Sequence, residues 1–496
     1  MPEQNAEHDS PPGIESGQKP TQADRLVALA FEKYDFGMSE TGEPFVVARE
    51  GLRVARLVSG NASSLKAEMS RSYFMRHGKT ASASALSDAV TTLHGFAMTQ
   101  EPTCLQLRQA AVEDELWLDL GDQQGSVIHV TKTGWSVEPQ APVMFRRSEL
   151  TGVMPVPVPG ETGELRRFLN VSDEGWALII GWMVSAYFPG IQHPILALTG
   201  EQGTAKTSTA RMIGAIIDPS PAPLTAGPRD IGEWIVVANG ACLVGLDNLS
   251  QLQPWFSDAL CRAITGEGLV RRRLYSDADL IVTSFRKLIL MTGIDLGALS
   301  ADLVDRTVFV ELQRIPSDQR RRDSELWARF NEAQPRILGG LLDLVAATMR
   351  ALPDVDSDGT MRMGDHVRVL AALDVVIDAG CVDAYRRSAG RAMADAAECN
   401  PLADALIEFM SNRKEWTGTA SELLRAITPD LPPRGWPSVP NRLSGLLKRL
   451  APVLRECGVE VESSRGTGRA RTRLLKLTAV RATDDADDGS QFLFKQ

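Results

Sequence analysis

The stretch "GEQGTAKTS", Gly200–Ser208, decides how the rest of the chain is read. It follows "HPILAL", a short apolar run with the texture of a buried strand, and precedes "TARMIGAII", where apolar residues recur at helical spacing. Strand, glycine loop and helix in that order suit a phosphate-binding loop, because backbone N–H groups and a helix N-terminus converge on one anion. The spacing from Gly200 to Lys206 and Thr207 fits G-x-x-x-x-G-K-[ST] except at one position. Ala205 stands where the second glycine belongs, and alanine is less free to take positive φ. Gly200, Glu201, Gln202, Gly203, Thr204, Ala205, Lys206, Thr207 and Ser208 are the expected nucleotide cradle.

A chance match to such a loop is common in a long chain, so the order of the segments after it matters. "ACLVGLDNLS" is a run of small and apolar residues ending in Asp247, the form of a Walker B strand whose carboxylate helps Thr207 hold Mg²⁺. The plainer reading of Asp247 is a cap on the helix "SQLQPWFSDALCRAI". Asn248 occupies the place where many such ATPases carry a glutamate that activates water; an amide orients water but does not accept its proton at neutral pH. Slow hydrolysis is then expected, or a base from elsewhere, with Glu201 a candidate against the simpler reading of a solvated loop carboxylate. "KLILMTGID" is another buried strand ending at Thr292, whose hydroxyl can contact the γ-phosphate or the attacking water.

Between these strands, "GEGLVRRRLYSDADLIVTSF" parses as strand Leu269–Tyr275, turn Ser276–Asp279 and strand Leu280–Phe285. Arg271, Arg272 and Arg273 in a row beside the site favour a phosphate-bearing partner over a solvated edge. "DLVDRTVFVEL" sets Arg306 just before a last strand, where an arginine can complete a neighbouring subunit's site and supply roughly 10³–10⁵ in rate. The alternative is an ion pair with Asp302 or Asp305. A finger acting in trans implies a ring or at least a dimer.

This series of motifs resembles superfamily 3 helicase ATPases of the AAA+ class, particularly the poxvirus- and phage-type primase-helicase group common in bacterial mobile elements. The likeness spans about residues 190–316 and is weaker from 100 to 480. The resemblance implies that Lys206 and Thr207 are the Walker A pair, Asp247 the Walker B acid, Arg272 the basic hairpin position, Thr292 the sensor and Arg306 the finger. Ala205, Asn248 and Thr292 depart from the family pattern, which leaves ATP binding expected and rapid turnover less so.

With 496 residues the chain has room for about three domains. The net charge of −10 excludes a chain that coats nucleic acid along its whole length, so any basic surface is local. No apolar run has the length of a membrane span, and the polar start lacks a signal peptide's core. Six scattered cysteines without CxxC read as reduced thiols, and a cytoplasmic protein is expected.

The expected fold class is α/β: a P-loop core with preceding helices over 163–316, an α+β domain over 23–154, a helical region over 317–400 and a winged-helix-like unit over 401–480. Residues 1–22 and the acidic 481–496 are expected to be disordered, and "PVPVPGETGE", 155–164, to be a linker. Asp119, Asp122 and His129 have the residue types of a nucleotidyl-transfer centre, but not its spacing, and "DLGDQQG" is a good hairpin turn. In 401–480, helices "PLADALIEFMS", "TASELLRAI" and "PNRLSGLLKRLAPVLREC" precede a hairpin around "RGTG" carrying Arg465, Arg469, Arg471 and Arg473. This span holds 13 basic and 8 acidic residues, the local footprint of a DNA-binding module, although a winged helix can also dock protein. The leading reading is an ATP-driven, helicase-like DNA motor or remodeller. A switch that binds ATP and DNA without translocating is the second reading, and a small-molecule P-loop kinase has little support.

Overall fold

The computed structural model describes residues 19–58, 65–249, 252–272, 280–283, 286–293, 299–316, 320–356, 361–398, 400–433, 436–465 and 473–479. At its centre lies a sheet of four parallel strands in the spatial order Leu243–Leu246, Leu288–Thr292, Ile195–Thr199, Thr307–Glu311. The strands are nearly continuous apolar runs, and all of Leu288–Thr292 is buried, as a parallel sheet covered on both faces requires. Helices Asp173–Ser185, Lys206–Ile217 and Asp323–Ala351 share one core with it. Helices Ile231–Gly240 and Pro254–Thr265 pack on Ile195, Val244, Ile289 and Met291 in a second core. The helical region consists of Asp323–Ala351, Gly364–Ile377 and Cys381–Glu398.

The N-terminal part divides differently from the expected 23–154 unit. Helices Gln22–Lys33, Leu65–His77 and Ala83–Ala97 enclose their own core with the hairpin Tyr34–Ser39 and Pro44–Ala48, which turns at Gly42. The meander Gln109–Val112, Glu115–Asp119, Val127–Thr131, Gly134–Glu138 turns Leu116, Leu118, Ile128 and Val130 into the core of the parallel-sheet unit instead. Alternation in these strands marks a buried face but not the element that covers it. The supposed linker 155–164 is also packed. Val158 donates its N–H to the Pro335 carbonyl in the long helix, and a Cβ on Gly339 would stand 1.9 Å from the Val158 carbonyl oxygen. Glycines at 339 and 340 thus let a backbone strap lie against the helix.

The C-terminal unit runs Pro401–Ser411, strand Glu415–Gly418, Ala420–Ile427, Pro440–Glu456, then strands Val459–Arg465 and Arg473–Ala479. Its antiparallel sheet places Arg473–Ala479 between the other two strands. The expected helices and hairpin are present. Strand Glu415–Gly418 is an addition to them, because four residues between helices show no alternation in the sequence. Among the described residues no helix is long and apolar enough to cross a membrane.

Two buried imidazoles join the helical region to the sheet unit. His366 Nδ1 lies 3.0 Å from Ser185 Oγ, and His193 Nε2 lies 2.7 Å from the Ser185 carbonyl oxygen. Burial lowers the His193 pKa from 6.5 to about 4 and that of His366 to about 3. The unfolded chain therefore binds more protons below pH 6.5, and stability falls as pH drops through that value. By pH 5 each imidazole is expected to cost about 2 kcal/mol. Urea denaturation from pH 7.5 to 5 checks this: His366→Gln should flatten the acid loss, and an unchanged slope would count against a neutral His366.

Candidate functional site

A parallel sheet gathers the C-terminal ends of its strands at one edge, and here Thr199, Leu246 and Thr292 emerge together. Gly200–Ser208 leaves the sheet at that edge. Gly200 has φ 127°, and a Cβ there would meet the Leu312 carbonyl oxygen at 2.7 Å; Gly203 has φ 85°. Ala205, expected to resist positive φ, nonetheless adopts φ 64° and ψ 30°, directly before helix Lys206–Ile217. The left-handed region costs an alanine roughly 1–2 kcal/mol, and glycine's extra entropy takes back about 0.5–1. Ala205→Gly should therefore stabilise the protein by about 0.5–1 kcal/mol in urea denaturation, with nucleotide affinity at least kept. Destabilisation would show that the Cβ has a packing role.

Lys206 Nζ spans the loop, donating to the carbonyls of Gly200 at 2.7 Å and Glu201 at 2.8 Å. Thr204 is buried and donates its hydroxyl to the Glu201 carbonyl. Glu201 and Gln202 are exposed, while Ser208 is half-buried in the first turn of the helix.

Asp247 is the focus of the edge. Its Oδ1 accepts from Thr207 Oγ1 at 3.2 Å and from Thr292 Oγ1. Its N–H donates to the Thr225 carbonyl at 2.8 Å. Strand Leu288–Thr292 lies between the Asp247 strand and the loop strand, so the Thr292 hydroxyl falls between loop and carboxylate. Asp247 does not cap the following helix, whose N-cap is Gln253.

Asn248 is exposed, its N–H donates to Thr292 Oγ1 at 3.0 Å, and its φ is 54°. Asparagine tolerates this left-handed conformation better than glutamate does. Close by, Gly293 has φ 75°, and a Cβ there would stand 3.0 Å from the Asn248 Cα. The backbone thus gives a reason for asparagine at this position that is not visible in the sequence.

Arg306 lies at the opposite edge of the sheet, at the start of strand Thr307–Glu311, where its carbonyl accepts from the Ile195 N–H. It is 9% exposed and paired with the Asp302 carboxylate, which Arg362 also contacts at 2.9 Å. Five strand residues at about 3.3 Å each separate that edge from the loop. Within one chain, therefore, Arg306 and Lys206 are not brought together.

The arginine hairpin is present as backbone: Leu269–Arg272 pairs with Leu280–Thr283, Arg272 opposite Leu280. Arg271 and Arg272 lie on the first strand, while Arg273 is outside the described residues. In the C-terminal unit Arg465 pairs with Arg473 in the strand register; Arg469 and Arg471 are outside the described residues. Asp119, Asp122 and His129 do not assemble a centre. Asp119 pairs with Arg147, Asp122 accepts the Gly125 and Ser126 N–H groups in the turn, and His129 stacks on Trp117 and pairs with Glu115.

Sequence reasoning missed Thr225, whose carbonyl holds Asp247, and Asp218, which ends the loop helix and accepts the N–H groups of Cys242 and Leu243 at the start of the Asp247 strand. Neither lies in a motif.

Residues 163–395 match the family model of the actinomycete integrative conjugative element replication protein, and residues 402–488 match that of its RepA C-terminal domain. None of the curated proteins matches the chain. Among solved structures, the chain is similar to the apo C-terminal region of NrS-1, at 12% identity over 93% of this chain and 100% of that one, with a TM-score of 0.39. It is also similar to SCCmec type IV Cch, an active helicase, at 12% identity over 90% of this chain and 93% of that one, with a TM-score of 0.45.

Proposed function

We propose that the chain is an ATP-driven, helicase-like DNA motor or remodeller acting in replication of an integrative conjugative element. The observation that carries this reading is the convergence of the Thr207 and Thr292 hydroxyls on Asp247, together with the two family matches. Thr207 Oγ1 and Asp247 Oδ1 are hard oxygen donors at one point, which suits Mg²⁺ held partly by substrate phosphates. Thr207 and Asp247 would hold such an ion, which would supply positive charge to offset that of the phosphates. In this reading, Lys206 and the loop N–H groups of a P-loop bind the phosphates, and Thr292 fixes the carboxylate. The Asn248 amide orients water without taking its proton. Arg306, placed across the sheet from its own loop, serves a neighbouring subunit's site and so implies a ring.

The C-terminal order of helix, strand, helix, helix, strand, strand is that of a winged helix, and its arginine-bearing hairpin favours DNA. Asn248 favours a second reading, an ATP-gated DNA-binding switch without translocation. DNA-stimulated ATP hydrolysis with strand displacement supports the motor; tight ATP binding with no hydrolysis, with or without DNA, supports the switch.

The two hairpins are separable. Replacing Arg469, Arg471 and Arg473 with alanine should weaken DNA binding on all sequences and reduce the log–log salt slope by about 0.7–0.9 for each phosphate no longer neutralised. Hydrolysis without DNA should survive. Replacing Arg271, Arg272 and Arg273 should leave binding through the C-terminal unit but remove DNA stimulation. An unaltered salt slope in the first variant makes that unit a protein-docking module.

A further inference from the structure

Arg320 belongs to the connector between strand Thr307–Glu311 and helix Asp323–Ala351, in the run "QRRR" that no motif claims. A Cβ built on Gly203 would meet Arg320 Nη2 at 3.4 Å, so the guanidinium lies against the tip of the glycine loop. Two other arginines are held by carboxylates. Arg306 is buried at the far edge of the sheet with Asp302, and Arg391, which lines the cavity beside Glu201 and Thr204, is held by Glu174 at 3.1 Å. Arg320 is exposed, and among the described residues it has no carboxylate partner.

A cation held against the loop that also carries Lys206 and a helix N-terminus adds positive potential to positive potential. That arrangement is unfavourable until an anion enters, and a nucleoside triphosphate with one Mg²⁺ retains negative charge that a single lysine does not balance. We propose that Arg320 is a nucleotide-contacting residue supplied by the same chain, whose guanidinium binds the outer phosphates over Gly203. The proposal rests on the reading of Gly200–Ser208 as a nucleotide site. It also gives the ligand a direct link to helix Asp323–Ala351, whose N-cap is Arg322.

The test is calorimetric titration of ATP, ADP and AMP with Mg²⁺ into the full chain and its Arg320→Ala, Arg320→Lys and Lys206→Ala variants. Removing a charge-assisted hydrogen bond to the outer phosphates should raise the Kd for ATP about tenfold in Arg320→Ala. AMP affinity should be unchanged, Arg320→Lys should recover part of the loss, and the melting temperature should not move. If Lys206→Ala abolishes ATP binding while Arg320→Ala binds ATP like the wild type, this proposal is overturned and the nucleotide site stands. If Lys206→Ala itself leaves ATP affinity intact, the site reading falls and takes this proposal with it. An equal loss for ATP and AMP in Arg320→Ala would also overturn it, since that marks a disturbed loop and not a missing bond to the outer phosphates.

Discussion

Lys206→Ala is expected to raise the Kd for ATP about a hundredfold or more, beyond the range of an ordinary titration. The ammonium is the side-chain positive charge carried by the loop helix at its first residue, and the rest of the loop offers phosphates only uncharged donors. Removing it also removes the two bonds to the Gly200 and Glu201 carbonyls that span the loop. Circular dichroism and a melting curve identify a folded variant, and calorimetry or filter binding then reads the loss. A folded Lys206→Ala protein with wild-type ATP affinity would remove the basis for a nucleotide site at this sheet edge, whatever the DNA-binding behaviour of the C-terminal unit.

Arg108→Ala is expected to destabilise the protein by about 3–5 kcal/mol, because it leaves a buried carboxylate without its partner. Arg108 Nε donates to Asp218 Oδ1 at 2.7 Å, and the two side chains are 2% and 6% exposed. Its other nitrogens donate to the carbonyls of Asp119 and Gly152, so the guanidinium is fully engaged. Asp218 in turn holds the N–H groups of Cys242 and Leu243, tying the end of the loop helix to the start of the strand that carries Asp247. The midpoint of urea unfolding measures the loss. Arg108→Met combined with Asp218→Asn should cost less than the sum of the single changes, because neither charge is then stranded. A loss below about 1 kcal/mol for Arg108→Ala would mean that water or another cation reaches Asp218. Hydrogen exchange should localise the first loosening to the end of Lys206–Ile217 and the neighbouring meander.

By itself the sequence determined the pieces whose chemistry is local. The spacing of Gly200, Lys206 and Thr207, the apolar runs ending at Asp247 and Thr292, and the arginine-bearing hairpin each lie within one short segment. Hydrophobic period and turn residues are sufficient to recognise such segments, and helices Pro401–Ser411 and Lys206–Ile217 stand where the pattern places them. The tertiary structure alone decided which segments meet. Parallel pairing set Leu288–Thr292 between the Asp247 strand and the loop strand, which brings a threonine hydroxyl onto Asp247 from 45 residues away. The meander 109–138 joined the parallel-sheet unit and left the N-terminal helices as a separate core, although its alternation reads the same in either setting. Backbone conformation added the rest: the positive φ of Ala205 and Asn248 reflects the closure of two turns at one sheet edge. Arg108 with Asp218, and Arg320 beside Gly203, depend on chain paths 110 and 117 residues long. Contacts at such separations leave no periodic trace in a single sequence, since their residues are selected by a shared space and not by a shared segment.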